Sequence, residues 1–410
     1  MNLKNLKKQI DRKLSDHLKI KNISVAYPYF NHKEVIEVLN SLLKLKISQG
    51  EKTKLFEKKF ANFHKVKYGI AVNSGSSANL VLFAALIKQK KLKLGDEIIV
   101  PATTFATVVS PLYQLGLTPV YVDIERKNWN INSDLIEGAI SKKTKAIFTV
   151  HTLGFPSNMD AINRIAKKRN LFVIEDCCEA HGATYKNKIV GSLSLASTFS
   201  FFVAHNITTG EGGMILTSDK KLQDDIRSIR EFGRLLNNKQ RFYSSAKMKN
   251  YDSRYIFMDM GYNLRLNDIS SSIGIEQLKK LKKINITRRS NAKYLTKKLS
   301  SLKKFIYIPE VNQSDKSAYY GFPFMVKNSK LRNKLAQFLE KNKIETRAIM
   351  GGCLPDQPAF VNQKHRIHKE LTNSRIVKSS GIFIGIHSAL EKKHLDKIAS
   401  TIKKFFIKNL

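Results

Sequence analysis

Apolar residues recur along this chain with two rhythms. Between Tyr68 and about Leu216, short apolar runs (YGIAV, DEIIVP, PVYVDI, KAIFTVH, LFVIED and MILT) alternate with stretches whose apolar positions repeat every three to four residues. Short runs bounded by turn residues predict buried strands, and the stretches between them predict helices. The chain therefore reads as successive βαβ units around a mostly parallel sheet, with ligands expected beyond the carboxyl ends of the strands. Before this region, Asn31 to Leu45 carries Val35, Ile36, Val38, Leu39, Leu42 and Leu43 in helical register, and Leu55 to Phe63 continues as a second helix. Ile98 to Val122 contains no charge, but Pro101, Pro111 and Pro119 break it into strand, short helix and strand. A membrane span of about 20 residues would not carry three prolines at that spacing.

Leu278 to Lys304 has eleven Lys and Arg, no acid, and an apolar side at Leu278, Leu281, Leu295, Leu299 and Leu302. It predicts a long solvated helix leading into a second domain. From Tyr307 a smaller α+β pattern follows and ends in the basic helix His394 to Lys408. The expected organisation is a basic extension over 1–30, a large α/β domain over 31–280 and a small C-terminal α+β domain over 281–410.

Composition changes this picture little. At 410 residues, 42% hydrophobic and 26% charged, the chain can bury a full core without disulfides. Three cysteines, two of them adjacent at Cys177 and Cys178, exclude a disulfide framework and leave reduced cytoplasmic thiols as the expectation. The N-terminal MNLKNLKKQIDRKL has no apolar core long enough for a secretory signal. The net charge of +39 would attract nucleic acid, anionic membrane or phosphorylated ligands. The lysines, however, are spread along the whole chain, without an RGG tract, zinc knuckle or ribonucleoprotein motif. Compositional bias is the better reading, with no nucleic-acid partner.

Three segments carry candidate chemistry. VNSGSSANL, Val72 to Leu80, passes from a strand into a helix through small residues. Exposed backbone N–H groups and the helix dipole there suit a phosphate, although Ser and Gly also cap helices that bind nothing. At the end of LFVIED, Asp176 could hold a protonated ring nitrogen, or could merely cap a helix. In STFSFFVAHNITTGEGGMILTSD, Ser197 to Asp219, a strand leads to His205 and a glycine-rich loop. A lone histidine after a strand is usually structural.

Taken together, in this order and spacing, SGSSANL, PATTFAT, EDCCEAHGA, GEGGM and GYNLRLNDISSSIGIEQL resemble the DegT/DnrJ/EryC1/StrS sugar aminotransferase family, from about Asn31 to the C-terminus. The resemblance implies a fold-type I transferase dependent on pyridoxal 5′-phosphate. Such a fold has a mostly parallel, mixed sheet of seven-stranded type and a smaller C-terminal α+β domain. It also implies residue roles. Gly75, Ser76, Ser77 and Ser200 would sit at the cofactor phosphate, and Phe105 would stack on the ring. Asp176 would take the ring nitrogen and Glu179 would face the ring hydroxyl. Asn263 would reach the phosphate from the partner subunit of a homodimer with shared active sites.

One departure redirects the chemistry. Aminotransferases of this family carry a lysine before GEGG that bonds covalently to the cofactor; here FFVAHNITTGEGG places His205 there, and no lysine lies between Lys188 and Lys220. An imidazole cannot make that bond but can move protons near neutral pH. The replacement, with HTLGFP, YGFPF and ETRAIMGGCLPDQPAF, resembles the 4-keto-6-deoxyhexose 3-dehydratase branch. That branch commonly has a second histidine where Asn206 stands. One of its two types holds an iron–sulfur cluster on several cysteines after the glycine-rich loop. Leu216 to Leu266 contains none, so the resemblance is to the cluster-free type and no metal is expected.

What this implies is a lyase of deoxysugar and lipopolysaccharide O-antigen biosynthesis. It would remove the C3 hydroxyl of a nucleotide-linked 4-keto-6-deoxyhexose to give a 3-deoxy-4-ketosugar. The cofactor would be pyridoxal or pyridoxamine 5′-phosphate, L-glutamate the amino donor and His205 the acid and base. The alternatives are an aminotransferase or a non-catalytic cofactor-binding homologue. The segments near Arg347 and from Arg241 to Arg254 are expected against the substrate, and their residues name neither its nucleotide nor its sugar configuration.

Overall fold

The apolar runs become strands of one sheet. In the computed structural model, which describes residues 3–17, 20–235, 252 and 255–409, these strands are β1 Tyr68–Val72, β2 Glu97–Pro101, β3 Thr118–Val122, β4 Thr144–Val150, β5 Phe172–Asp176, β6 Ala196–Ser200, β7 Gly213–Thr217 and β8 Arg366–His368. They pair in the order β1-β7-β6-β5-β4-β2-β3-β8. Only β7 among them runs antiparallel to its neighbours β1 and β6; the other pairings are parallel. The expected mixed, mostly parallel sheet is present. Its eighth strand comes from the C-terminal part of the chain, where Arg366 binds the Glu97 carboxylate at 2.8 Å and anchors a short segment on the sheet edge.

Helices cover both faces, as buried parallel strands require. On one face pack Phe56, Phe60, Met159, Ile162, Ile275 and Leu281. On the other pack Val81, Leu82, Leu86, Leu112, Leu222 and Ile226. Phe56 and Phe60 are fully buried, and each such side chain contributes about 1.5–3 kcal/mol by leaving water. Gly274 lets the long helix Asp268–Lys298 approach them, because a Cβ there would stand 2.6 Å from the Phe56 ring.

That helix runs unbroken from the large lobe into a second core. Its far end, at Ala292, Leu295 and Leu299, packs with Phe322, Phe324, Leu335, Ile382 and Phe405. There a four-stranded antiparallel sheet, Ile306–Tyr307, Phe322–Val326, Gly381–Ile384 and Thr346–Arg347 in spatial order, is backed by the helices Arg332–Lys341 and Lys392–Lys408. The basic N-terminal extension begins as a helix, Leu3–His17. Beyond it Ile23 and Val25 are buried with the small lobe; Ile23 bridges Ile344, and the Val25 N–H donates to Glu345 at 2.7 Å. Among the described residues no helix is long and apolar enough to cross a membrane.

Candidate active site

The parallel pairing brings the carboxyl ends of β4, β5 and β6 side by side. Val150, Asp176 and Ser200 end these strands, and all three line a cavity of about 370 Å³. Gly75, Ser76, Phe105, Glu179 and His205 line the same cavity, so the structure gathers most of the candidate residues at one place.

The phosphate-type turn is shaped by close backbone packing. A Cβ on Gly213 of β7 would lie 2.2 Å from the Ser74 carbonyl, so only glycine lets β7 pass beneath the turn. Ser74 caps the helix Gly75–Lys88, its hydroxyl accepting from Ser77 N at 3.0 Å. The Ser77 hydroxyl lies 2.9 Å from that of Ser74, and Ser77 does not line the cavity. Gly75 and Ser76 present the helix N-terminus to it instead, where unpaired N–H groups and the dipole favour an anion.

Neighbouring strand residues face opposite sides, and this separates the two carboxylates of LFVIED. Glu175 points away from the cavity. Burial pushes its pKa up, but His151 Nε2 at 3.0 Å, Gly191 N at 2.8 Å and the Ser194 hydroxyl at 2.8 Å bring it below the ordinary value on balance. His151 Nδ1 also accepts from Ser157 N at 3.0 Å. Donor atoms of His151, Glu175 and Cys177 cluster within 4.8 Å, yet both nitrogens of His151 are already engaged by protein. The cluster is structural.

Asp176 has the opposite character. It accepts from Asn79 Nδ2 at 3.2 Å and Cys178 N at 3.0 Å, and burial raises its pKa despite these bonds. A buried carboxylate with no cationic partner, facing a cavity, suits a protonated ring nitrogen. Glu179 accepts from Leu153 N at 2.6 Å. Burial, reinforced by the charge of Asp176, pushes it up to about 8 against that bond. Phe105 stands at the start of the helix Ala106–Gln114 with 58% of its surface exposed, an apolar face open to a flat ligand. A pyridine ring and phosphate fit this set of groups: a helix N-terminus for the phosphate, an acid for the ring nitrogen and an exposed aromatic face in the same wall.

His205 follows β6 in the glycine-rich loop. Its Nδ1 is shielded and without a hydrogen-bond partner, which leaves Nε2 on the cavity side. Burial, then the positive charge of Arg288, lowers its pKa to about 3. No lysine is among the described residues that line the cavity. Asn206 turns inward, donating to Asn285 Oδ1 at 3.0 Å and to the Ala318 carbonyl at 2.8 Å.

Asn263 is exposed and does not line the cavity of its own chain; its Oδ1 accepts from Arg265 Nε at 3.2 Å. Arg347 pairs with Glu345 and is likewise not in the wall. Arg241 to Arg254 lies outside the described residues, Asp252 excepted. Sequence reasoning assigned no role to Asn79, one helical turn beyond Ser76, or to Tyr320 and Met350, which the small lobe adds to the wall. Tyr320 opens YGFPF and Met350 lies in ETRAIMGGC; both segments were legible as matches without a visible function.

The DegT/DnrJ/EryC1/StrS aminotransferase family matches residues 29–403. The lipopolysaccharide biosynthesis protein RfbH of Salmonella typhimurium is 37% identical over 376 residues, 88% of this chain and 86% of that protein. The GDP-4-keto-6-deoxy-D-mannose 3-dehydratase of Escherichia coli O55:H7 is 36% identical over 387 residues, 93% of this chain and 98% of the relative. A solved structure of GDP-4-keto-6-deoxymannose-3-dehydratase with a trapped PLP-glutamate geminal diamine superposes with a TM-score of 0.86 at 32% identity, covering 93% of this chain and 100% of that one. The fold is therefore that of the pyridoxal-phosphate aminotransferases, and the chain belongs to the DegT/DnrJ/EryC1/StrS aminotransferase family.

Proposed function

We propose that the protein is a 3-dehydratase of a nucleotide-linked 4-keto-6-deoxyhexose that works with pyridoxal and pyridoxamine 5′-phosphate and takes its amino group from L-glutamate. The observation that carries this reading is that His205 shares the cavity wall with the buried Asp176, with no lysine among the described residues that line it. The similarity to a 3-dehydratase of a GDP-linked ketosugar, and to a structure holding a PLP–glutamate adduct, supports the substrate class and the donor.

The residues divide the work. When bound, the cofactor supplies an amine for the C4 ketone and a ring that accepts electrons. Gly75 and Ser76, with Ser200 beside them, hold its phosphate at the helix N-terminus. Asp176 holds the ring nitrogen protonated, since a buried carboxylate is most stable with a cation beside it. Phe105 would cover one face of the ring, and Glu179 would serve the ring hydroxyl. His205, held neutral by burial, offers Nε2 as a free base for the carbon-bound proton. Its conjugate acid, equally disfavoured there, passes that proton to the C3 oxygen as it leaves. A histidine cannot tether the cofactor, so no side-chain amine competes for it, and water releases the amino group as ammonia alongside the 3-deoxy-4-ketosugar.

The same reading assigns residues 31–280 to holding the cofactor and 281–410 to covering it. Asn263, exposed in its own chain, reaches a neighbour's phosphate in a homodimer with shared sites. The test is incubation of the purified protein with glutamate and a panel of 4-keto-6-deoxy nucleotide sugars. A 3-deoxy-4-ketosugar and stoichiometric ammonia are expected; an aminosugar as the main product would replace the reading with an aminotransferase.

A further inference from the structure

Behind His205, on the side away from the cavity, stands a second imidazole that the reaction described above does not use. His181, in EDCCEAHGA, is fully buried, and neither of its ring nitrogens makes a well-formed hydrogen bond among the described residues, although the Ser200 carbonyl is near enough to draw on one ring proton. Its ring lies 5.8 Å from that of His205, tilted by 50°. Phe199 and Phe201, each with ring centroids 5.6 Å away, and Phe60 at 6.3 Å enclose the rest of it.

The backbone ties this imidazole to the His205 loop. Gly182 takes φ +70°, a conformation side chains rarely adopt, and turns the chain directly after His181. The His181 carbonyl accepts from Asn285 Nδ2 at 2.7 Å, while Asn285 Oδ1 accepts from Asn206 Nδ2 at 3.0 Å. One asparagine of the long helix thus fixes both histidine segments. Buried polar atoms almost always find partners, so unsatisfied nitrogens on two adjoining rings call for an explanation. A phenyl ring would fill an aromatic pocket without this cost.

A neutral imidazole has one donor and one acceptor. Burial, with the charges His205, His64 and Arg288 would present, keeps His181 neutral, against an opposing pull from the Ser200 carbonyl. That carbonyl suits the proton of one His181 nitrogen, which leaves the other as an acceptor. The shielded Nδ1 of His205 is the complementary donor.

We propose that His181 is the positioning residue for His205: it accepts a hydrogen bond relayed through one water from the Nδ1–H of His205, and so leaves Nε2 as the free base in the cavity. A base oriented by a third group is the general arrangement of activated proton carriers. The inference rests on the reading of His205 as proton carrier, and its main test needs neither cofactor nor substrate.

The cofactor-free protein is labelled with ¹⁵N-histidine, and the His205 signals are identified by their loss in His205→Asn. Wild type should show His205 protonated on Nδ1. His181→Gln, whose amide oxygen can still accept, should keep that tautomer, whereas His181→Phe should shift it toward Nε2–H. In turnover with glutamate and the ketosugar, His181→Phe should lose at least about tenfold in kcat at unchanged KM, part of the roughly 10²–10⁴ that a placed general base contributes. An Nε2-protonated His205 in wild type, or an unchanged tautomer in His181→Phe, overturns the proposal. If no ketosugar is dehydrated, the functional reading fails while the tautomer result still decides this one.

Discussion

The ring of Tyr320, from the small lobe, packs on the ring of His205, from the large lobe, with centroids 5.3 Å apart and planes at 45°. Tyr320 is held there by its backbone. Its N–H donates to the Leu153 carbonyl at 3.0 Å, and its own carbonyl accepts from Arg288 at 2.9 Å. Leu153 in turn donates to Glu179. Two cavity residues, Glu179 and Tyr320, are thereby linked through the single left-handed residue Leu153, at φ 53°. If the phenyl body of Tyr320 is what matters, Tyr320→Phe keeps activity. Tyr320→Ala, which frees the imidazole, should reduce kcat by at least about tenfold, since small misplacements of a reacting group are costly. Steady-state kinetics of both variants decide this; equal losses would assign the role to the hydroxyl.

His205 carries the sharpest consequence. Borohydride treatment of the holoenzyme should leave no cofactor attached to any lysine. His205→Asn should accept the cofactor but fail to release the C3 hydroxyl, because an amide cannot take the proton. His205→Lys should move the product toward the 4-aminosugar. The ratio of aminosugar to 3-deoxy-4-ketosugar, measured by mass spectrometry, is the readout. Dehydration at the wild-type rate by either variant would make His205 structural.

Asp176→Asn should still bind the cofactor yet lose the ion pair to the ring nitrogen. The expected loss in rate is on the order of a thousandfold, equivalent to several kcal/mol of transition-state stabilisation. Cofactor absorbance reports binding and single-turnover kinetics report the rate. Near-normal turnover would reduce Asp176 to a cap for the Cys178 N–H.

Glu179 links the cavity to pH. Burial raises its pKa in the folded protein to about 8, so it stays protonated when folded at pH values where the unfolded chain has already lost the proton. The unfolded state then binds fewer protons, and stability falls as pH rises from the ordinary carboxylate range to about 8. Glu179→Gln, which cannot ionise and can still accept from Leu153, removes this contribution. The Tm of the cofactor-free variant relative to wild type should therefore climb between pH 5 and 8 and level off above. A constant difference across that range would show that Glu179 is ionised in the fold.

Much of the architecture was legible because it rests on local pattern. An apolar run such as that of DEIIVP or LFVIED cannot be left solvated and enters a sheet, and the proline-broken run from Ile98 to Val122 admits only strand, short helix and strand. The long basic helix was equally visible, although it begins ten residues earlier than its charge run, at Asp268, where Asn267 caps it through Ser270 N. The carboxyl ends of the strands marked where to look for chemistry, and the family resemblance assigned Gly75, Ser76, Asp176, Ser200 and His205 to one site there.

What tertiary structure alone decided depends on contacts between segments far apart in the chain. Glu175 and Asp176 are chemically alike in sequence, but the pleat sends one to His151 and backbone amides and the other to the cavity. Ser77 resembles Ser76 until the cap at Ser74 takes it up. The eighth strand, Arg366–His368, is too short to show as a pattern and exists because the edge of β3 and the Glu97 carboxylate are there to receive it. Tyr320 and His181 meet His205 only after the long helix has brought Arg288 and Asn285 between the two lobes. Periodicity encodes which face of a segment is apolar; which polar atoms are left unpaired, and beside what, is settled only when those faces pack.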